Sequence, residues 1–298
     1  MDKMSLIKEL RERTAAGMAD CKKALEASNW NVDEAISFLK KNGKIKAASK
    51  SNRISADGLL VSAGDKKCSA LIELNCETDF VAHGEEFVAL ANKVAQTIIT
   101  NYKHLKNAGA EEALKLTPAN SKETLADLIS DYSAKCGEKI ELRRFIIVEA
   151  GTGQLVAPFV HINGKIGAIV LVEGTDAESA RNVAMHLSAM NPEFILEKDV
   201  PAETIERFKS EFVVPANFSN KPVAIQEKIR QGALDKKIAE VVLVKQNLIM
   251  DESKTVEQYL KEHKSTLIKA FRFGLGEGIQ KKSNDFAAEV AEQMNTAK

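Results

Sequence analysis

The chain has 298 residues, of which 44% are hydrophobic and only 5% are aromatic. This length exceeds what one ordinary hydrophobic core holds, so two or three domains are expected. The 42 basic and 42 acidic side chains cancel to a formal net charge of zero, which argues against a protein whose main ligand is nucleic acid. The charge is uneven, however, because residues 1–50 carry 11 basic and 7 acidic side chains.

The chain contains four cysteines, at positions 21, 68, 76 and 136, and five scattered histidines. Neither set has the spacing of a zinc site or a disulfide framework, so no metal and no cofactor is expected. Buried free thiols imply a reducing compartment. The N-terminus lacks the apolar core of a signal peptide, and no apolar run is long enough to span a bilayer. These features predict a cytoplasmic, soluble protein.

Residues 1–45 have the spacing of three short helices, the size of a small ubiquitin-associated-type bundle. Apolar residues recur at helical intervals on both sides of a tight loop that ends at Gly17. Asn31, with Glu34 three residues later, resembles a capping box, and Gly43 supplies a helix stop. The polar, basic stretch at 46–54 has no apolar period and indicates a linker.

One arrangement occurs twice between residues 55 and 277: a hairpin, then helix, then a strand. The turn signals are Gly64-Asp65 in the first copy and Asn163-Gly164 in the second, the latter a strong hairpin signal. We therefore predict an α+β fold whose duplicated core contains antiparallel sheets, with halves at 55–150 and 151–277. The predicted helices are 85–100, 122–136 and 176–190, and the predicted third strands are 139–149 and 266–275.

The two copies differ just after Thr78 and Asp79. Aligning 70–79 with 167–176 leaves about four additional residues in the first copy, beginning at Phe80. A loop that protrudes beyond its sister copy is a natural place for function, and drift in a tolerant loop is the alternative. Either Asp79 is a helix N-cap with Phe80 in the core, or Phe80 is a wedge for a partner's pocket. The residues alone leave both interpretations open.

Residues 202–237 interrupt the second half with amphipathic helical segments, which Pro215, Pro222 and Gly232 punctuate. This insert is expected to be either a protruding helical hairpin or extra packing for the core, and a protruding hairpin would either mediate a homodimer or merely protrude. A helical module is expected at 278–298, with its helix at 284–294.

The sequence lacks the motifs of common enzyme active sites. There is no GxxxxGK[ST] loop for nucleotide phosphates, no HExxH for a metal and no GxSxG nucleophile. The glycine-rich segments at 151–153 and 274–278 follow predicted strands and do not open helices, so they indicate turns. We therefore expect a protein that is not an enzyme in the sense of covalent chemistry.

Five segments resemble, in order, the motifs of the elongation factor Ts family, and together they extend along nearly the whole chain. The second is built around Thr-Asp-Phe-Val. The five segments are residues 10–25, 75–82, 161–167, 184–192 and 271–278.

The resemblance implies a guanine-nucleotide exchange factor that binds elongation factor Tu, displaces its magnesium ion and promotes GDP release. It implies no membrane contact and no direct contact with nucleic acid. By the same resemblance, the N-terminal bundle docks on the G domain of the partner, residues 78–81 insert into that domain, and the 284–294 helix folds back onto it. The magnesium-displacing loop is Thr78, Asp79, Phe80 and Val81, and the other partner-binding residues are Arg11, Met18, Ala19 and His161.

One departure from the family pattern falls on a contact residue: Ala19 stands where a second methionine is common. Two other functions are weighed against nucleotide exchange. An interaction scaffold would use the N-terminal bundle and would not need Phe80 or the longer first-copy loop. An RNA-binding protein would use the basic N-terminal segment, and its affinity would fall steeply with salt.

Overall fold

A computed structural model of the protein describes residues 2–14 and 16–280, and only the backbone of residues 44–48. The predicted α+β fold is confirmed: an N-terminal helical bundle precedes two antiparallel three-stranded sheets, each covered by helices. The C-terminal helix expected at 284–294 lies outside the described residues.

The N-terminal bundle contains the three predicted helices. They are α1 (Lys3–Thr14), α2 (Met18–Ala27) and α3 (Val32–Ser49). Their apolar faces meet in a small core around Leu10, Cys21 and Leu25. Asn31 begins α3 as predicted, because its Oδ1 accepts hydrogen bonds from the backbone N–H groups of Asp33 (3.0 Å) and Glu34 (3.2 Å), which otherwise lack a partner at a helix start.

The first half of the core is a hairpin, a group of helices and a third strand that pairs with the second strand of the hairpin, in the order β1-β2-β3. The helix predicted at 85–100 has those bounds in the structure. The elements are β1 (Asp57–Gly64), β2 (Cys68–Cys76), α4 (Asp79–Ala82), α5 (Glu85–Thr100), α6 (Tyr102–Leu105), α7 (Ala110–Leu114), α8 (Leu125–Cys136) and β3 (Glu141–Glu149).

The second half repeats this topology with the sheet order β4-β5-β8. Between its main helix and its last strand it carries the predicted helical insert, α10 and α11, and a small hairpin. Helix α11 runs through Gly232, so the prediction that this glycine interrupts the insert is wrong. The elements are β4 (Gln154–Val160), β5 (Ile166–Glu173), α9 (Ala177–Met190), α10 (Ala202–Ser210), α11 (Val223–Val241), β6 (Asn247–Leu248), β7 (Asp251–Thr255), α12 (Val256–Glu262) and β8 (Thr266–Gly274).

Gly43 does not end the third helix, as the sequence suggested, because α3 continues to Ser49. Residues 44–49 are therefore helical and not part of a linker. The glycine has a packing role instead: a Cβ at this position would lie 3.3 Å from the Cβ of Ala134 on α8. The absent side chain lets α3 approach α8 closely, and this contact fixes the bundle to the first half of the core.

The two sheets pack on each other and leave their outer faces for the helices. Alternate residues of a strand point to opposite faces, so Ile72 packs against the helices of the first half while Leu71 packs toward the other sheet. On β5, Val170 and Ile169 divide in the same way. The core therefore has four layers, helix–sheet–sheet–helix, and its central strands are apolar on both faces.

Candidate partner-binding site

The first half protrudes where the alignment of the two copies placed additional residues. Eight residues, 77–84, connect β2 to α5, whereas only three, 174–176, connect β5 to α9. The longer connection contains α4, a single helical turn. Thr78 is its N-cap, with Oγ1 accepting from the backbone N–H of Val81 (3.4 Å), and Ala82 is buried beneath it.

Phe80 projects from this turn into solvent, with 88% of its surface exposed. Asp79 beside it is also exposed, whereas Val81 packs against the core of the first half. The interpretation that placed Phe80 in the core and made Asp79 the N-cap is therefore wrong. A large apolar side chain exposed to this degree is the kind of feature that marks an interaction surface.

The backbone of the loop is held by two carboxylates that the sequence analysis did not identify, Glu77 and Glu138. Glu77 Oε1 accepts from the backbone N–H of Lys139 (2.6 Å) and from Arg53 NH1 (3.2 Å). Glu138 in turn accepts from the backbone N–H of Thr78 (3.0 Å). Because the contacts of Glu77 with Lys139 and of Glu138 with Thr78 span about 60 residues of chain, no local spacing in the sequence reveals them.

Two side chains beneath the loop, Cys76 and Tyr132, are uncharged at neutral pH. Burial raises the pKa of the Cys76 thiol to about 12, and its S–H donates to the carbonyl of Thr78 (3.1 Å). Burial likewise raises the pKa of Tyr132 to about 12. A thiol with a pKa this high is a poor nucleophile at neutral pH, so we assign Cys76 a structural role beneath the loop.

All four cysteines are free thiols; Cys21 and Cys76 are buried, and Cys68 and Cys136 are partly buried. Across residues 2–14 and 16–280 no group of three or more potential metal ligands occurs. In the same ranges, none of the helices has both the length and the apolar character needed to cross a membrane.

The three bundle residues implied by the resemblance lie at the junction of α1 and α2. Arg11 is near the end of α1, and Met18 and Ala19 are the first two residues of α2; all three are exposed. Met18 keeps half of its surface in solvent. Gly17 is the extended N-cap residue that turns the chain between the two helices.

His161 lies in the turn between β4 and β5, and it is exposed. Its neighbour Ile162 has 99% of its surface in solvent, and the sequence analysis did not single it out. The sequence feature that could have identified Ile162 was its position, an apolar residue directly before Asn163-Gly164 in a predicted turn. Gly164 adopts a φ of +66°, which glycine tolerates without strain.

The Phe80 loop (residues 77–84) and the His161 turn (residues 161–165) both contact β1, an edge strand of the first sheet. Helix α4 contacts β1, and the carbonyl of Gly164 accepts from the backbone N–H of Leu60 in that strand (2.7 Å). The bundle residues belong to a separate group of helices, which reaches the first half through the packing of α3 on α8. The candidate site therefore has two parts that contact the same strand of the core and a third on the bundle.

The chain is similar to known proteins along nearly its whole length. A family model described as Elongation factor TS matches residues 77–277. The chain is 74% identical over 295 residues to an Elongation factor Ts of Mycoplasmopsis agalactiae, covering 99% of each chain. It is 43% identical to that of Mycoplasmopsis synoviae, covering 97% of this chain and 98% of the relative. It is 41% identical to that of Limosilactobacillus reuteri, covering 98% and 99%.

Matches of this length and identity place the chain among the translation elongation factors. More particularly, the chain belongs to the elongation factor Ts family.

Proposed function

We propose that this chain is a guanine-nucleotide exchange factor for elongation factor Tu, which binds the GDP complex of that protein and promotes GDP release. The observation that carries the proposal is Phe80, a phenylalanine 88% exposed at the tip of a braced helical turn. Phe80 inserts between helices of the partner's G domain, together with Thr78, Asp79 and Val81. No covalent bond is made or broken, so the chain acts as an exchange factor and not as an enzyme of covalent chemistry.

The insertion acts through the magnesium ion of the partner. That ion bridges the phosphates of GDP to side chains of the G domain, and such an ion demands nearly ideal octahedral geometry. Moving the residues that orient its ligands by about an ångström therefore weakens the hold on the nucleotide. Insertion of residues 78–81 would displace the ion and so remove positive charge from beside the GDP phosphates.

Phe80 does not supply the whole free energy of coupling. Complete burial of one phenylalanine contributes about 1.5–3 kcal/mol, or roughly ten- to a hundredfold in an equilibrium constant. Docking of Arg11, Met18 and Ala19 on the G domain, and of the His161 turn on a different domain, supplies the rest. In this arrangement the fully exposed Ile162 is part of the second contact.

The cycle closes because coupling is reciprocal. If this chain weakens the binding of GDP to elongation factor Tu, GDP weakens the binding of this chain by the same factor, and the same reciprocity holds for GTP with its own factor. Binding of GTP therefore releases the exchange factor. The same scheme needs no cofactor, no membrane and no direct contact with nucleic acid, and it takes place in the cytoplasm.

A homodimer through residues 202–237 stays a prediction. The connection between α10 and α11 exposes Val213 (84%), and Val223 at the start of α11 is also exposed (69%). In the same connection Phe212 and Phe218 pack on each other, with Arg230 over both rings. The mass of the chain in solution, measured by light scattering, decides between self-association and a monomer whose insert only protrudes.

The test is the release of fluorescent GDP from elongation factor Tu of the same organism. We expect the release rate to rise with the concentration of this chain and to saturate. Binding without acceleration would support the interaction scaffold instead. Tight binding of RNA that weakens steeply with salt would support the RNA-binding alternative.

A further inference from the structure

Glu138 holds the start of the Phe80 loop with both of its carboxylate oxygens. Its Oε2 accepts from the backbone N–H groups of Glu77 and Thr78, both at 3.0 Å. Its Oε1 accepts from the hydroxyl of Thr78 at 2.5 Å. One side chain thus satisfies two backbone donors and the side chain of the N-cap residue of α4, the turn that carries Phe80.

Glu138 is itself fixed by the way α8 ends. Gly137 follows the helix in the left-handed conformation, with a φ of +83°, and this reverses the chain toward β2. The carbonyl of Glu138 accepts from the hydroxyl of Ser133 (2.5 Å), and the carbonyl of Ser133 accepts from the buried Lys50 Nζ (2.8 Å). The carboxylate is therefore presented by a supported turn rather than by a free surface side chain.

The second half of the core has a brace at the equivalent place. Glu138 stands three residues before β3, and His263 stands three residues before β8. His263 Nδ1 lies 2.6 Å from Asp176 Oδ2, and Asp176 is the N-cap of α9. Each half therefore ties the turn after its second strand to the turn before its third strand, but only the first half adds a protruding phenylalanine to the braced segment.

We propose that Glu138 is a positioning residue for nucleotide exchange: it holds the Phe80 loop in the orientation that enters the partner. This inference rests on the proposed function. Phe80 touches the core little, so its direction follows from the backbone of α4, which Val81 and Ala82 anchor at one end and Glu138 holds at the other. Without the carboxylate, two backbone N–H groups lose their partner, and the loop populates other conformations. The fraction of molecules whose loop is oriented for insertion then falls, and the rate of exchange falls by the same factor.

The experiment compares Glu138→Ala, Glu138→Gln and His263→Ala with the wild-type chain in GDP release from elongation factor Tu. Docking through the bundle and the His161 turn precedes loop insertion, so we expect Glu138→Ala to lower kcat about tenfold with KM changed less than twofold. Hydrogen exchange at the amides of Glu77 and Thr78 accelerates in the same variant. Glu138→Gln recovers most of the rate, because its amide oxygen still accepts from both amides and the Thr78 hydroxyl can accept from its NH₂ group.

His263→Ala is the matched control, because it removes the equivalent brace from a turn without a phenylalanine. We expect a similar loss of thermal stability in His263→Ala and Glu138→Ala, with kcat lowered only in the latter. A wild-type kcat for Glu138→Ala, or the same loss of kcat in His263→Ala, overturns the positioning role and leaves the proposed function intact. If the wild-type chain itself fails to accelerate GDP release, the proposed function falls, and the positioning role falls with it.

Discussion

A phenylalanine that stays in water forgoes the free energy of burial, which is about 1.5–3 kcal/mol for a fully buried side chain. Phe80 is in this situation, whereas Phe87, one helix further along the chain, is completely buried. The two residues have the same chemistry and differ in surroundings. At the scale of single residues, this contrast separates a side chain kept for a partner from one that stabilises the fold.

We expect Phe80→Ala to change the free energy of unfolding by less than about 0.5 kcal/mol, because the side chain makes few contacts to lose. Phe87→Ala removes a core side chain and is expected to cost about 3–5 kcal/mol. Urea unfolding of both variants, followed by circular dichroism, measures the difference. A loss above 2 kcal/mol for Phe80→Ala would show that this side chain belongs to the core.

His186 predicts how stability depends on pH. The ring is fully buried; its Nδ1 accepts from the backbone N–H of Ile249 (3.1 Å), and its Nε2 bonds to Gln246 Oε1 (3.1 Å). Burial lowers the pKa of this histidine below its ordinary value of 6.5, and the bond to Gln246 offsets the effect only in part. Below pH 6.5 the unfolded chain therefore takes up a proton that the folded chain refuses, and stability is lost as the pH falls toward the folded pKa.

The measurement is urea unfolding at pH 7.5 and pH 5.5. We expect the wild-type chain to lose stability across this interval, by at most about 1.4 kcal/mol per pH unit, and His186→Gln to lose clearly less. His104 is exposed, so His104→Gln should behave as the wild type does. An identical loss in the wild type and in His186→Gln would assign the pH dependence to other groups.

At the scale of elements, the turn that contains Gly164 lies against β1 and brings the second half close to the first. The φ of Gly164 is +66°, and a Cβ there would lie 2.5 Å from Leu59 Cδ2 on β1. Gly153 also has a positive φ, +76°, but nothing lies within 4 Å of its Cβ position. The two glycines share the conformational requirement, and only the first also allows the second half to approach the first.

We expect both Gly153→Ala and Gly164→Ala to lose about 1–2 kcal/mol of stability, because alanine is strained at positive φ. Gly164→Ala should lose at least about 1 kcal/mol more, since Leu59 must also move. Urea unfolding of the pair isolates this packing contribution. Equal losses would mean that Leu59 adapts freely and that the contact between the halves is loose.

The regular elements could be predicted from the sequence because their signals are local. The apolar period of α5 determined both of its ends, and Asn163-Gly164 located a hairpin. Gly43 misled the prediction, because a glycine that ends a helix and a glycine that admits a neighbouring helix look alike in sequence. The direction of Phe80 could not be derived either, since a single helical turn has no period that assigns its faces.

At the scale of the whole molecule, the two halves are joined by a buried carboxylate on β2. Glu73 is fully buried and accepts from Arg143 (2.8 Å) and Arg144 (2.5 Å) on β3, and from the backbone N–H of Gly276 beyond β8 (2.8 Å). The closing motif at 271–278 therefore has a structural role, because the bond from Gly276 to Glu73 holds the second half to the first. Because Gly276 lies 203 residues from Glu73, the sequence alone did not separate this motif from those at the candidate site.

The contact between the two halves matters for function, because the proposed mechanism needs separate parts of the molecule to bind the partner at the same time. The Phe80 loop and the His161 turn both lie against β1, and the interface between the two sheets sets their relative position. The repeat itself was readable from the sequence, as was the longer connection in its first copy. That Phe80 is exposed rather than part of the core, and how its loop is braced, emerged only from the structure.

The most direct test of the central claim is the rate of GDP release from elongation factor Tu, measured with the wild-type chain, Phe80→Ala and Val213→Ala. Val213 is nearly as exposed as Phe80 but lies in the helical insert, so it controls for the loss of any exposed apolar side chain. We predict that the wild type and Val213→Ala accelerate release equally and that Phe80→Ala is slower by roughly ten- to a hundredfold. Equal rates for all three proteins would contradict the account, because exchange would then proceed without the side chain proposed to drive it.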